Sequence, residues 1–277
     1  MASPSATILS DLRRPDAWAS LRRPGHPALI PYLTAGHPDA VSSLAALEAA
    51  DALADVVEVG VPFSDPIADG PVIQRASFRA LERGMTLAGT LDLIARARLT
   101  KPVVLFSYLN PVLRYGVPAL LRDATALGVA GLLLTDLPLG ADPEIEAVLE
   151  ASPLDLIRLV APTTSARRLA RMAVESRGFL YLIARLGVTG RSDRLPEGLA
   201  ESVARVRRAS PLPIAVGFGI SSPAQARAVG DLADGVVIGS ALVEALDQGG
   251  VKGVERLLAA CRAALAETAP AEAAHGR

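Results

Sequence analysis

Lysine and cysteine are both rare in this sequence of 277 residues. Only two of its 28 basic residues, Lys101 and Lys252, are lysines, so few side chains could form a Schiff base with a substrate. The single cysteine, Cys261, cannot form an internal disulfide. It lies in an apolar pattern with helical spacing, which predicts that it is buried as a small hydrophobic residue.

The sequence also lacks long apolar runs and a large net charge of either sign. No stretch approaches the roughly 20 apolar residues that span a bilayer, and the amino-terminal segment lacks the basic and apolar regions of a secretory signal. The net charge is −1 without a basic stripe, which argues against nucleic acid as a partner. We therefore expect a cytoplasmic protein that binds neither nucleic acid nor membrane.

Short apolar segments alternate with longer helical patterns along the whole chain. Hydrophobic residues make up 51% of the sequence, enough for a sizeable core. Most of the candidate strands are apolar along their whole length, as buried parallel strands are, and the eight cover residues 28–34, 55–60, 103–108, 131–136, 156–161, 179–184, 213–218 and 235–239. Eight strand–helix units without a composition break predict a single-domain α/β fold, the (β/α)8 TIM barrel. An open doubly wound sheet is the alternative.

The domain is expected to cover residues 1–277, with a helical extension at residues 1–25 and a frayed tail at residues 267–277. Barrel enzymes carry their chemistry at the carboxyl ends of the strands and in the loops that follow. The candidate functional residues of this sequence fall at those positions.

Paired glycine segments follow the seventh and eighth strands, Gly217-Phe218-Gly219-Ile220 and Gly239-Ser240-Ala241. Glycines let backbone N–H groups approach an anion, and a helix that begins at Ser240 would direct its positive dipole end to the same place. Neither segment contains Lys or Arg, so backbone amides and the helix dipole would hold a phosphate there. The alternative is that these glycines only form tight turns.

A glutamate, Glu58, ends the apolar second strand. Burial of an unpaired carboxyl group raises its pKa, so that it can act as an acid near neutral pH. The alternative is a structural glutamate that pairs with an arginine. Asp65 and Asp69 in the loop after it are turn residues on composition alone, because Asp-Pro and Asp-Gly are turn signals.

The residues needed for Schiff-base, metal-ion or acyl-transfer catalysis are missing from the expected site. Lys101 precedes the third strand at the opposite face, Lys252 lies in the last helix, and the histidines His26, His37 and His275 are too scattered to form a metal site. No G-x-S-x-G motif or Cys/His pair indicates an acyl nucleophile. Acid–base chemistry by carboxyl groups remains.

The run EVGVPFSDPIADGP at residues 58–71 closely resembles the signature of the tryptophan synthase alpha subunit family. Other segments match this family in order: PYLTAG (31–36), YLNP (108–111), DLP (136–138), APTT (161–164), GVTG (187–190), GFGI (217–220) and GS (239–240). The resemblance extends from about residue 29 to the final helix.

This resemblance implies a lyase of tryptophan biosynthesis that cleaves indole-3-glycerol phosphate to indole and glyceraldehyde 3-phosphate. Glu58 and Asp69 match the catalytic pair. Glu58 would move a proton between the indole C3 carbon and the glycerol hydroxyl, and Asp69 would face the indole N–H. The resemblance implies no cofactor or metal in this chain. It also implies a beta subunit that carries pyridoxal phosphate and receives the indole, within an alpha2beta2 heterotetramer.

Three further groups of residues are assigned by the resemblance. Those that bind the substrate, mainly around the indole, are Tyr32, Ile73, Phe106, Leu133, Tyr181, Thr189 and Phe218. Those at the phosphate are Gly190, Gly219, Gly239 and Ser240. Those that face the beta subunit are Pro62, Asp65, Asn110 and Pro138. The apolar members of the first group could equally be ordinary barrel core.

The sequence departs from the family pattern at three positions. Tyr32 stands where phenylalanine is usual, and its hydroxyl needs a partner if it is buried. Ala184 and Leu186 flank Arg185 where a serine and a smaller residue are more typical.

Three alternative functions stay open at this point. A stand-alone lyase would release free indole by the same chemistry. A different phosphate-binding barrel, such as an epimerase or a thiamine-phosphate synthase relative, is opposed by the long signature at residues 58–71. A non-catalytic barrel that activates a partner is opposed by the presence of both Glu58 and Asp69.

Overall fold

The protein folds as a closed barrel of eight parallel strands, seen in a computed structural model that describes residues 17–184, 195–217 and 219–267. The strands are β1 (Ala28–Thr34), β2 (Val57–Gly60), β3 (Val103–Ser107), β4 (Val129–Leu134), β5 (Asp155–Val160), β6 (Leu180–Ile183), β7 (Ile214–Gly217) and β8 (Gly235–Ile238). Each strand pairs with the next, and β8 pairs with β1. All eight predicted strands are confirmed within two residues, and closure excludes the open sheet.

Ten α-helices of the described residues surround the strands. They are α1 (Ala40–Leu53), α2 (Pro71–Glu82), α3 (Leu87–Ala97), α4 (Leu109–Tyr115), α5 (Val117–Ala126), α6 (Pro143–Glu150), α7 (Ala166–Glu175), α8 (Leu199–Ala209), α9 (Pro223–Gly230) and α10 (Ser240–Ala266). Gly250, at φ 58°, divides α10 into two segments. The Ser222 side chain accepts from the Gln225 N–H and so caps α9.

A short 3₁₀ helix, Ala19–Arg22, precedes β1 and helps to close the amino-terminal end of the barrel. The Trp18 ring packs edge-on against Phe179, with centroids 5.2 Å apart, and its Nε1–H donates to Asp155 at 2.7 Å. Leu21 packs beside Gly235 on the same side. The carboxyl ends of the strands are therefore the end at which a ligand can enter.

Two apolar layers make up the core. One fills the barrel interior, and the other lies between the strands and the helices. Cys261 belongs to the outer layer, and burial raises the pKa of its thiol to about 11, which confirms the predicted burial. No helix of the described residues is long and apolar enough to cross a membrane. Residues 1–16 and 268–277 lie outside the described residues, so the predicted extension and tail stay predictions.

Candidate active site

Glu58 lies on β2 and points into the barrel, beside Tyr32 of β1, its partner in the strand register. Its side chain is completely buried, and neither carboxyl oxygen has a hydrogen-bond partner in the described part of the chain. Among the described residues, therefore, no arginine pairs with Glu58 as the alternative of a structural glutamate requires. Burial raises the pKa of Glu58 to about 8, so at neutral pH this side chain holds a proton that it can donate.

Asp69 lies in the loop between β2 and α2, with its side chain 4% exposed. Burial raises the pKa of Asp69 to about 6, and a hydrogen bond from the Tyr108 hydroxyl, at 3.1 Å, acts in the opposite direction. The Gln74 amide donates to the backbone oxygens of Asp69 and Pro66, at 2.9 and 3.3 Å, and holds the loop against the start of α2. Asp69 is thus more than the turn residue that its composition indicates, and near neutral pH it is mostly ionised.

Two tyrosines accompany the carboxyl groups. The hydroxyl of Tyr32 lies over Gly60 and that of Tyr181 over Gly217, so closely that a Cβ at either glycine would collide with it. These glycines are needed because the rings occupy the space of a side chain. Burial raises the pKa of both tyrosines well above their usual range, and the charges of Asp69 and Glu58 add to this effect. Both hydroxyls therefore keep their protons.

One cavity joins Asp69 and the two tyrosines to the glycines after β7 and β8, whereas Glu58 does not line it. It is lined by Tyr32, Asp69, Val72, Ile73, Phe106, Tyr181, Gly219, Ile220, Ser221, Val237, Gly239, Ser240, Ala241 and Glu244. Gly219 has φ +90°, and a Cβ at this position would project into open space. Because α10 begins at Ser240, its amino-terminal dipole end faces this part of the cavity. No lysine or arginine of the described residues lines it.

The family model described as "Tryptophan synthase alpha chain" matches residues 18–270. The chain belongs to this family. The tryptophan synthase alpha chain of Nitratidesulfovibrio vulgaris strain DP4 is 48% identical over 229 residues, which cover 82% of this chain and 89% of that protein. The alpha chain of Synechococcus elongatus is 45% identical over 254 residues, covering 90% and 96%.

Solved structures agree with this membership. A chain of the Mycobacterium tuberculosis tryptophan synthase superposes with a TM-score of 0.83 at 40% identity, covering 92% of this chain and 98% of that one. A mutant alpha-subunit from Pyrococcus furiosus gives 0.76 at 36% identity, covering 86% and 96%. A tryptophan synthase alpha fold is therefore present across the described ranges.

The structure brings most of the family's substrate-binding and phosphate positions together. Those on the cavity wall are Tyr32, Ile73, Phe106, Tyr181, Gly219, Gly239 and Ser240. Leu133 is instead completely buried in the inner core and does not line the cavity. Thr189, Gly190 and Phe218 lie outside the described residues, as do Arg185 and Leu186 of the departing segment. The Tyr32 hydroxyl finds its partner in Thr34, whose Oγ1 donates to it at 3.4 Å.

The positions expected to face a partner divide between two places. Pro62 and Asn110 line one surface groove, with Phe63 and Tyr115. Asp65 is exposed nearby and accepts from the Ser64 hydroxyl at 2.6 Å. Pro138 is exposed and lines a separate cavity on the β4 side.

Sequence reasoning did not assign Tyr108, Gln74, Ser221 or Glu244 to the site. Tyr108 belongs to the matched YLNP segment, so an aromatic residue directly after β3 was an available signal. Gln74 and Glu244 carry no such signal, since a polar residue in the first turns of a helix is ordinary. Within the described ranges, no cluster of three or more His, Cys, Asp or Glu residues could hold a metal ion.

Proposed function

We propose that Glu58 and Asp69 are the acid–base pair with which this member of the tryptophan synthase alpha family cleaves indole-3-glycerol phosphate to indole and glyceraldehyde 3-phosphate. The observation that carries this assignment is the unpaired, completely buried Glu58 carboxyl group beside a cavity with an amide-lined far end. A buried glutamic acid that is neutral at pH 7 is the form that can donate a proton to carbon.

The two carboxyl groups then have different tasks, because their environments separate their pKa values. Glu58 donates its proton to the indole C3 carbon, and the positive charge that forms on the ring is stabilised by the Asp69 carboxylate at the indole N–H. The protonated indole is a good leaving group. As the bond between C3 and the glycerol carbon breaks, the Glu58 carboxylate takes the proton of the adjacent hydroxyl, which becomes the aldehyde of glyceraldehyde 3-phosphate.

The phosphate binds at Gly219, Gly239 and Ser240, where backbone N–H groups and the α10 dipole supply positive potential. Gly190 contributes to the same site, and Thr189 and Phe218 to the indole end, by family resemblance. Holding both ends of the substrate fixes the reacting carbon beside Glu58.

A beta subunit that carries pyridoxal phosphate receives the indole, in an alpha2beta2 heterotetramer. The groove that Pro62 and Asn110 share with Phe63 supports this surface as a place of contact, with exposed Asp65 beside it, and exposed Pro138 would make a second contact from its separate cavity. No cofactor is assigned to this chain. A cytoplasmic location stays a prediction.

The proposal is tested by measuring indole release from indole-3-glycerol phosphate, with and without a cognate beta subunit. Wild-type protein should release indole, faster with the partner. Glu58→Gln should lower the rate about 10²–10⁴-fold while still binding glyceraldehyde 3-phosphate. Full activity without the partner would favour the stand-alone lyase, and a folded Glu58→Gln protein with near-normal cleavage would exclude the assigned acid.

A further inference from the structure

The Tyr32 ring lies between the acid–base pair and the phosphate end of the cavity. Its residue pairs in register with Glu58, and its ring packs edge-on against Phe106 with centroids 5.2 Å apart. Its Cδ1 would lie 3.5 Å from a Cβ on Gly239, which places one edge of the ring at the phosphate end. The residue is only 5% exposed, and its hydroxyl lies over Gly60, two residues after Glu58 on the same face of β2.

The Tyr32 hydroxyl uses only its acceptor side in this structure. Thr34 Oγ1 donates to the Tyr32 hydroxyl at 3.4 Å, and none of the described residues accepts the proton of that hydroxyl. Burial, then the Asp69 charge and, more weakly, the Glu58 charge, raise the pKa of Tyr32, so the proton stays in place wherever the enzyme works. An uncommitted donor therefore stands beside the acid–base pair.

The two carboxyl groups differ in what they lack. Asp69 already accepts from the Tyr108 hydroxyl at 3.1 Å, whereas neither Glu58 oxygen has a partner in the part of the chain described. A neutral Glu58 tolerates this isolation. The carboxylate left after proton transfer does not, because a buried charge without a hydrogen bond carries a large desolvation cost. Glu58 therefore needs a donor only when it is ionised, as it is after proton transfer in the reaction and at alkaline pH in the free enzyme.

We propose that Tyr32 is a positioning residue of this site, whose hydroxyl, oriented by Thr34, donates a hydrogen bond to the Glu58 carboxylate once Glu58 has protonated the substrate. The inference rests on the proposed function. The bond forms as Glu58 ionises and is released when the substrate hydroxyl returns a proton to Glu58. An interaction made mainly in the charged intermediate raises kcat rather than substrate affinity.

Tyr32→Phe tests this, since it removes the hydroxyl and keeps the ring. We would measure kcat/KM for indole release against pH at saturating beta subunit, so that changes in partner affinity have no effect. Burial alone raises the pKa of Glu58 to about 8, and the proposed Tyr32 bond would lower it, so the activity of the wild type should begin to fall below about pH 8 as Glu58 loses its proton. In Tyr32→Phe this alkaline limb should move up by about one pH unit, because a hydrogen bond to a charged group is worth a factor of about ten or more.

Two further readouts separate positioning from structure. The kcat of Tyr32→Phe should fall about tenfold with KM nearly unchanged, since the retained ring still lines the cavity. The acid limb should stay in place, although Asp69, Tyr108 and Tyr181 also face this region. A substrate phosphate titrates near pH 6, on the acid limb, so it does not disturb the alkaline one.

Ser152→Ala is the control, because it removes a buried hydroxyl that donates to the Leu149 carbonyl at 2.6 Å, away from both the cavity and the partner groove. Its profile should equal that of the wild type. An unchanged alkaline limb in Tyr32→Phe would overturn the inference while wild-type cleavage upheld the proposed function. A shift of the acid limb alone would show that the Tyr32 hydroxyl interacts with Asp69 instead of Glu58, and this result would also overturn the inference. Wild-type protein that releases no indole would overturn the proposed function itself.

Discussion

The Tyr108 hydroxyl donates a hydrogen bond to Asp69 Oδ2 across 3.1 Å and accepts one from the Ala68 N–H across 3.0 Å. One side chain after β3 therefore binds both the Asp69 carboxylate and the backbone of its neighbour Ala68 in the loop after β2. The Phe63 ring lies against the Tyr108 ring, with centroids 4.9 Å apart, and limits its movement. Protonation of Asp69 thus depends on a residue from a neighbouring strand.

Tyr108→Phe should raise the pKa of Asp69, because burial would then act without the opposing hydrogen bond. Asp69 must be ionised to stabilise the charged indole, so the acid limb of the kcat/KM profile should move up by about one pH unit. The loss should be several-fold at pH 6 and smaller at pH 8. Tyr32→Phe should move the opposite limb, and an identical effect of the two variants would contradict the separate roles given to these hydroxyls.

Glu58→Gln should change how stability depends on pH. Burial raises the pKa of folded Glu58 from 4.5 to about 8, so between these values unfolding releases a proton. Wild-type stability therefore falls as pH rises from about 4.5 to about 8, by at most about 5 kcal/mol at about 1.4 kcal/mol per pKa unit. The variant lacks this ionisation.

Urea unfolding of both proteins between pH 5 and 8.5 measures the effect. The difference between the unfolding free energies of Glu58→Gln and the wild type should increase in favour of the variant as the pH rises. The buried amide introduced by Glu58→Gln can shift the unfolding free energy by an amount that does not depend on pH. The test therefore compares the pH dependence of the two unfolding free energies and not their absolute values. Parallel curves for the two proteins would show that Glu58 is not held neutral by burial.

The barrel could be predicted from the sequence because most of its strands are apolar on both faces and alternate with helical patterns. Glu58 stood out for the same reason, since a carboxyl group at the end of an apolar strand contrasts with its neighbours. Asp69 did not, because its Asp-Gly context is that of a turn and its pKa depends on Tyr108, a tertiary contact. No local pattern reports such a contact, and only the family resemblance singled Asp69 out.

Arg158 shows the same limit within the fold. The strand that contains it was predicted from its apolar residues, yet Arg158 is 3% exposed and pairs with Glu146 at 2.7 Å and Glu150 at 3.0 Å, both from α6. A charge in an apolar strand signals a buried partner. Which residue is that partner depends on how the preceding helix packs against β5, and the residue pattern carries no information about this packing.

Arg158→Met should lower the unfolding free energy by about 3–5 kcal/mol, because it leaves the buried Glu146 carboxylate without its cation. Glu146 also accepts from the Gly140 and Asp142 N–H groups, so the loss should lie at the lower end. Adding Glu146→Gln should recover part of it. Denaturant titration of the single and the double variant measures both unfolding free energies. If the double variant is less stable than the single one, the unpaired Glu146 carboxylate is not the cause of the loss.

Gly219→Val should weaken the binding of phosphorylated ligands at least tenfold, because the new side chain would enter the part of the cavity proposed to hold the phosphate. Gly219 has φ +90°, so valine also strains the backbone there. Gly84→Val is the matched control. Gly84 has φ +80° and equally open space at its Cβ position, but it does not line the cavity.

The two variants should therefore lose similar stability, about 1–3 kcal/mol each, and differ in affinity. Calorimetric titration with glyceraldehyde 3-phosphate gives the affinities, and thermal unfolding gives the strain. If both variants bind like the wild type, the phosphate lies elsewhere, and Gly239 and Ser240 lose their assignment together with Gly219. If both lose affinity equally, strain rather than occupied space explains the loss. Weak binding confined to Gly219→Val would show that an amide-lined site without lysine holds the phosphate.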